Sequence, residues 1–386
     1  MSLPGLPRAT TRWIVLLCVY TLVASASYCG FFAKYALRDD SKNDALTLML
    51  DGTADRPYVY RQLLPATANL LEAALPRAAR QRFLDHLQAD YPQHNWLSNT
   101  FVRATDAANP HYALRYYMVY AMTFGALLGA MLMLRLLCLQ LVGNEIAATL
   151  APLAFALAVP VGNFWDFPEL LFMTVAVWVA LRANLLWLLP LTLVATLNKE
   201  SFLFFLIALY PFVSMRVSSR SRALLLLGTC VALAAAVNLA TKLHYAGNPG
   251  ELAQFHLWDN LRFLADPRNY LHGEYTYGIL LPKGFNILLL FLAFVVVRAG
   301  WSALPPAARH HALLVCAINI PLYLLFGYGD EIRALSMVDV SAALLICGGV
   351  AGYVSRALEP AAVPVTKHQA VPQARRQPAL DLTTDS

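Results

Sequence analysis

Apolar stretches recur along the 386 residues of this chain, and several approach the roughly 20 residues that an α-helix needs to cross a bilayer about 30 Å thick. Backbone polar groups in such stretches find no water and must pair within the segment, which selects helices. Composition agrees: 59% of residues are hydrophobic and 13% charged, with a mean hydropathy of +0.53, too oily and charge-poor for an ordinary water-soluble domain. The expected fold is therefore all-α, a polytopic transmembrane bundle of about ten helices near residues 13–33, 113–135, 146–162, 168–182, 184–198, 201–215, 223–243, 284–298, 311–328 and 334–354. The middle four are short, and Pro152, Pro160, Pro168, Pro190 and Pro211 fall in or beside them, so broken or re-entrant helices belong to the expectation.

Basic residues flank the apolar runs and set the orientation. With Arg8 and Arg12 cytoplasmic, alternation also puts Arg135, Arg182, Arg216, Arg220, Arg222, Arg298, Arg309, Arg356, Lys367, Arg375 and Arg376 inside. The same alternation puts outside a long loop at 34–112, the turns at 163–169, 198–201 and 329–333, and a second loop at 244–283. Residues 1–354 then form one membrane domain, and 355–386, rich in Pro, Ala and Gln, a disordered cytoplasmic tail. The run after Arg12 is too long for a signal peptide and reads as a retained first helix. Within the outer loops, 78–90 and 251–264 carry the amphipathic pattern of helices lying in the membrane interface. The net charge of +6 is spread as topology signals with no basic stripe, so nucleic acid is not an expected partner; membrane lipids are. All six cysteines lie in apolar segments without metal-ligand spacing and read as packing residues.

The densest polar signal is the run from Arg38 to Asp44, with Asp39, Asp40 and Asp44, followed by Asp51 through Pro65, which contains Tyr58, Tyr60 and Arg61. A surface carboxylate can serve as general base toward an acceptor hydroxyl, and an arginine fork can hold a phosphate bidentately. Asp166 and Glu169 flank Pro168 where the chain re-enters the membrane; Lys199 and Glu200 interrupt a long apolar stretch; Glu331 and Arg333 sit at another outer turn, with Asp339 about two helical turns further on. Each pair has a plain structural reading: charges in an aqueous loop, a helix cap, a mutual ion pair of Lys199 with Glu200, a local salt bridge at a helix start. Their convergence on one face is what marks them together as a candidate site.

On these residues the chain resembles the GT-C superfamily of membrane glycosyltransferases, which use polyprenyl-phosphate sugars. The resemblance covers the topology: a first helix, a long outer loop with early acidic residues, then a bundle. It implies Asp40 as catalytic base, with Asp39 and Asp44 as rivals, and Arg61, with Arg333 or Lys199, as the cations on the phosphate; with the convergent turns the candidate substrate site is Arg61, Tyr60, Asp166, Glu169, Lys199, Glu200, Glu331 and Arg333. Asp51-Gly52 through Tyr58-Val59-Tyr60-Arg61-Gln62-Leu63-Leu64-Pro65 looks like the pattern after that acid in bacterial members; Asn198-Lys199-Glu200 is similar to an Arg-Glu element but has lysine in place of arginine. The implied reaction moves a sugar from a polyprenyl-phosphate donor to a glycan, lipid or protein acceptor at the outer face of the inner membrane of the cell. No cofactor and no metal-ligand set is evident, and a divalent metal is compatible with the acidic loop. A transporter or lipid flippase, an O-antigen-type polymerase, a membrane acyltransferase and a structural scaffold are the rival classes.

Overall fold

The computed structural model describes residues 8–358 apart from 36, 38, 92, 102, 277 and 278, so Arg38 and the tail beyond Leu358 lie outside the described residues. The chain is all-α and about 75% helical. In order the helices are α1 (Arg8–Lys34), α2 (Leu46–Leu50), α3 (Leu63–Ala74), α4 (Arg77–Ala89), α5 (Trp96–Thr100), α6 (Ala113–Leu141), α7 (Glu145–Ala158), α8 (Asp166–Leu181), α9 (Leu188–Asn198), α10 (Phe202–Ala208), α11 (Tyr210–Ser214), α12 (Arg220–His244), α13 (Leu257–Ala265), α14 (Ile287–Gly300), α15 (Pro306–Phe326) and α16 (Asp339–Leu358). Among the described residues five helical segments are long and apolar enough to cross a membrane: Ala9–Lys34, Ala113–Leu141, Arg220–His244, Pro306–Phe326 and Ile332–Ala357. Every expected apolar stretch is helical, but others stop short. The 14 residues of α7 rise about 21 Å at 1.5 Å per residue, and the stretch expected at 201–215 is divided into α10 and α11 before Pro211. The protein is thus a membrane-embedded helical bundle.

The long central helix α6 organises the packing, contacting α1, α3, α7, α8 and α16 and contributing to two apolar cores. Many apolar side chains point away from the protein, among them Trp13, Leu17 and Leu22 on α1 and Leu288, Phe291 and Phe294 on α14. An outward face of that kind calls for lipid as its solvent. Where α14 crosses α16, small residues bring the backbones together: a Cβ on Gly348 would lie 2.7 Å from the Gly300 carbonyl oxygen. Close backbone approach is how helices associate where lipid removes the hydrophobic drive between them.

Polar contacts divide between two ends of the bundle. At one end Arg12 and Arg135 both pair with Glu145, Arg135 at 3.6 Å; Arg182 donates to Gln140 at 2.7 Å, and Arg216 donates to the carbonyls of Val179 and Ala183 at 3.0 and 2.7 Å, closing the C-terminus of α8. At the far end of α1, about 40 Å away by its 27 residues, Lys34 meets Glu274 at 2.7 Å, and Lys283 bridges Glu274 and Asp330 at 3.8 and 3.2 Å. The two long loops are stitched to each other at this same end: Arg56 donates from its backbone to Pro249 at 2.8 Å and from its guanidinium to the Gly250 carbonyl at 2.6 Å, and the Asn248 amide donates to the Gly52 and Ala54 carbonyls. Gly250, at φ +87°, permits this approach, since a Cβ there would collide with the Arg56 backbone.

Three details depart from expectation. The later loop holds a two-stranded antiparallel hairpin, Gly273–Thr276 paired with Ile279–Pro282, which an all-α reading did not include. The amphipathic helix in 78–90 forms as α4, but its apolar face lies on the protein, with Leu84 and Leu87 against Ala113, Phe83 and Tyr117. In 251–264 only the last part is helical, and the side it buries is polar. Asn260 on α13 donates to the Tyr323 and Gly327 carbonyls and accepts from the Gly329 N–H, while Trp258 and Leu261 face outward.

Candidate functional site

The end of the bundle carrying the two long loops gathers carboxylates and cations from four segments distant in sequence. The first is the turn Tyr58–Tyr60, followed by Arg61. The Arg61 guanidinium lies 4.7 Å from the Trp165 ring centroid and 5.5 Å from that of Tyr58, and its NH2 is 3.5 Å from Glu200 Oε1. Cation–π contact with two rings, themselves tilted 45° to each other, restrains the guanidinium. Arg61 does not tie its own loop: Asp51 accepts the Tyr112 hydroxyl, and Arg61 pairs across to the α9–α10 junction. Tyr60 is buried behind Arg61, its ring 5.9 Å from Lys242 Nζ.

The start of α8 is the second segment. Asp166 Oδ2 accepts the N–H groups of Gly162 and Asn163 at 3.0 and 2.9 Å, so it caps the preceding turn as well as favouring the positive end of the helix. Glu169, one turn on and 2% exposed, faces the third segment, the junction from Asn198 to Ser201. Lys199 Nζ lies 2.6 Å from Glu169 and 3.5 Å from Asp166, and Ser201 donates to Glu169 at 2.9 Å. Lys199 and Glu200 therefore do not form a mutual pair. Successive side chains at a tight turn point apart, one to α8 and the other to Arg61. Burial disfavours the Lys199 ammonium, but Glu169 and Asp166 more than offset this and raise its pKa above the ordinary value. Burial likewise works against ionisation of Glu200, and Arg61 reverses the balance, holding that carboxyl below its usual range.

Glu331 and Arg333 supply the fourth segment. They do form the local pair, at 3.0 Å, but Arg333 also reaches Asp166 at 3.9 Å, joining this turn to the cluster. Its chain lies on Gly162, where a Cβ would come within 2.6 Å of the arginine Cδ. Asp339, which opens α16, is within electrostatic reach of Glu169, Asp166 and Lys199, and so belongs to the same set.

The three loop aspartates have different surroundings. Asp39 accepts from the Tyr116 hydroxyl, from the Asp106 N–H at 2.8 Å and from Thr105 at 3.4 Å, tying the start of the first loop to α6; burial pushes its carboxyl up to about 6 against the pull of those hydrogen bonds. Asp40 is exposed, with its carboxylate 4.0 Å from Arg103 Nε. Asp44 accepts the Ser41 hydroxyl and acts on Tyr58 electrostatically together with Arg61, Arg333 and Glu331, which brings it to the cluster. Among the described residues no group of three or more His, Cys, Asp or Glu is placed to hold a metal ion; the carboxylates of the cluster face Lys199 and the arginines.

Two features went unread in the sequence. Trp165 and Asn198, both uncharged, hold the cluster together: the Asn198 amide donates to the Trp165 carbonyl at 2.9 Å. In addition, Arg61 Nε, Trp165 Nε1, Glu200 Oε2 and Asn198 Oδ1 are buried without hydrogen-bond partners. Native proteins seldom leave such groups unmet, which singles out the surroundings of Arg61 and Trp165 as the candidate site. Directly beyond Arg61 in the chain, Leu63, Leu64 and Thr67 of α3 line an open apolar groove of about 340 Å³ with Gly125 of α6 and Leu171 and Phe172 of α8. A comparison of the chain with family models, with curated proteins and with solved structures finds no match.

Proposed function

We propose that this protein is a membrane glycosyltransferase of GT-C type that takes a sugar from a polyprenyl-phosphate donor at the outer face of the inner membrane and moves it to a glycan, lipid or protein acceptor. The observation that carries the reading is the gathering of Arg61, Arg333 and Lys199 with Glu200, Asp166 and Glu169 at the loop-bearing end, where Leu63, two residues after Arg61, opens the apolar groove. A phosphate meets the first and a lipid tail the second, the complement of an amphiphile. In this reading all ten apolar helices belong to the membrane bundle, with α7 to α11 partly re-entrant, and the arginine-rich end faces the cytoplasm by the positive-inside preference.

The chemistry is a single displacement. An acceptor hydroxyl gives its proton to a loop carboxylate, its oxygen bonds to the anomeric carbon, and the bond from that carbon to the phosphate oxygen breaks. Exposed Asp40 is the proposed base, with Asp44 as its rival, and Asp39 serves as a loop tie. Arg61, with Arg333 behind it, takes the charge that grows on the departing lipid phosphate. Lys199 is committed to Glu169 and Asp166 and acts by fixing the turn that presents Glu200.

The test uses purified protein, a panel of polyprenyl-phosphate sugars and two variants. Donor consumption by the wild type is expected, with loss of turnover on Asp40→Asn. Gly125→Phe is expected to abolish donor binding without unfolding, since a Cβ at 125 meets no atom within 4 Å and the ring fills the groove. No consumption or binding across the panel, or undiminished binding by Gly125→Phe, overturns the reading. A lipid flippase would instead move the amphiphile across vesicles with its sugar intact.

A further inference from the structure

The later of the two long loops carries an apolar surface that the bundle does not cover. The strand Ile279–Pro282 is exposed along its whole length, so Ile279 on one face and Leu280 on the other both point away from the protein. Tyr275 on the paired strand and Trp258 and Leu261 on α13 extend the same outward side, and Phe255 lies against Phe326 at the end of α15. We propose that α13 and this hairpin form an interfacial membrane anchor, seated among the lipid headgroups at the loop-bearing end with these side chains reaching the acyl boundary, and that it holds the turn at 327–333 at that depth.

Continuity with faces that already require lipid identifies the occupant. The exposed apolar run of α14 begins at Ile287, soon after the hairpin ends at Pro282, and α1 ends at Lys34, whose ammonium lies 2.7 Å from Glu274 on the hairpin. Lys283 bridges Glu274 and Asp330, so charges from the end of α1, the approach to α14 and the 327–333 turn gather at one level, as they do where a bilayer meets water. The hairpin itself excludes the two media on either side. In water it sets apolar side chains beside open strand edges, a combination that invites aggregation; in hydrocarbon the edges of a two-stranded sheet leave backbone N–H and C=O groups unmet. At the interface, headgroups and their water answer the backbone while acyl chains take the side chains. Helix α13 is oriented to match. Asn260, fully buried, is fixed to the Tyr323 and Gly327 carbonyls, which turns Trp258 outward with Arg262 one helical turn along, its side chain 83% exposed. An aromatic body beside a cationic tip is what membrane interfaces select.

The experiment places single nitroxide labels on the full-length protein in vesicles of phosphatidylethanolamine and phosphatidylglycerol, with Cys18→Ala and Cys29→Ala removing the exposed native thiols. Collision rates with oxygen, which concentrates in lipid, and with a water-soluble nickel chelate report the depth of each label. Trp258→Cys and Leu280→Cys are the test sites; they lie on separate elements, and both side chains are exposed, so the labels leave the core undisturbed. Lys42→Cys marks water, and Leu292→Cys on α14 marks hydrocarbon. Both test labels are expected to give an oxygen-to-nickel ratio several-fold above that at Lys42→Cys and below that at Leu292→Cys. A ratio at either test site equal to the water marker means that the loop stands clear of the bilayer, and overturns the proposal. A ratio equal to the hydrocarbon marker overturns the interfacial depth. Spin–spin broadening at Leu280→Cys that disappears on dilution with unlabelled protein assigns the open edge to a second copy of the chain, and overturns the proposal as well. Sugar transfer is untouched by any of these outcomes, since the donor assays test it separately.

Discussion

Lys199 gives the most direct measure of how the polar cluster is held. Its ammonium is the closest counter-charge of Glu169, 2% exposed, and it shares Asp166, 6% exposed, with Arg333. Lys199→Met keeps length and apolar stem but leaves a buried carboxylate without its cation. Removing one member of a buried pair costs about 3–5 kcal/mol, far beyond the roughly 0.5 kcal/mol of an exposed change such as Lys42→Met. Glu169→Gln should cost less, because Lys199 keeps Asp166 at 3.5 Å. Combining the two should cost less than their sum by about 0.5–3 kcal/mol, the coupling expected of residues in direct contact. Reversible unfolding in mixed micelles with increasing denaturing detergent, run on wild type, both single variants and the double variant, reads the cycle. Additive costs, or a Lys199→Met protein as stable as wild type, would refute the pairing and with it the idea that this lysine is structural.

The geometry sets three further outcomes. Arg61→Lys is expected to lower donor affinity by about 10- to 100-fold in a binding titration, since a point charge cannot grip two phosphate oxygens and loses the guanidinium's contact with the Trp165 ring. Asp39, with a folded pKa of about 6 against an ordinary 3.8, binds protons more tightly when folded, so its contribution is full below about 3.8 and is lost as pH rises toward 6; Asp39→Asn should flatten the fall in thermal stability across that window, by an amount that its partial exposure reduces. Gly162→Ala places a Cβ where the Arg333 chain lies, so the arginine must move off Asp166; turnover should fall, and restoration of full rate by Arg333→Ala in the same protein would show that Arg333 is dispensable.

Periodicity and basic flanks were enough to locate the helices and to bring the turns at 163–169, 198–201 and 329–333 to one end, because those signals are local and the bundle has only two ends. Pairing within that end was not legible. Arg61 pairs with Glu200, 139 residues later, and no local pattern distinguishes that partner from the nearer carboxylates Asp51 and Asp55. Asn198 and Trp165 carry no charge and were read only as neighbours of charged residues, although burying their polar atoms is what gives the site its form. The hairpin at 273–282 escaped notice because Ile279-Leu280-Leu281 is a short apolar run of the kind that helix and strand share, and its side chains face outward.

The stitching of the first loop to later segments has a consequence for biosynthesis. Chains grow at about 5–20 residues per second, so Glu200 follows Arg61 by about 7–28 s, and Gly250, 194 residues after Arg56, follows it by about 10–39 s. Through that interval the first loop waits with its arginine fork unanswered and the Arg56 backbone N–H unpaired. The loop cannot adopt its final form as a nascent unit, and any chain stopped before Pro249 leaves that end of the bundle unassembled, with Arg56 lacking both carbonyls it bonds in the finished fold.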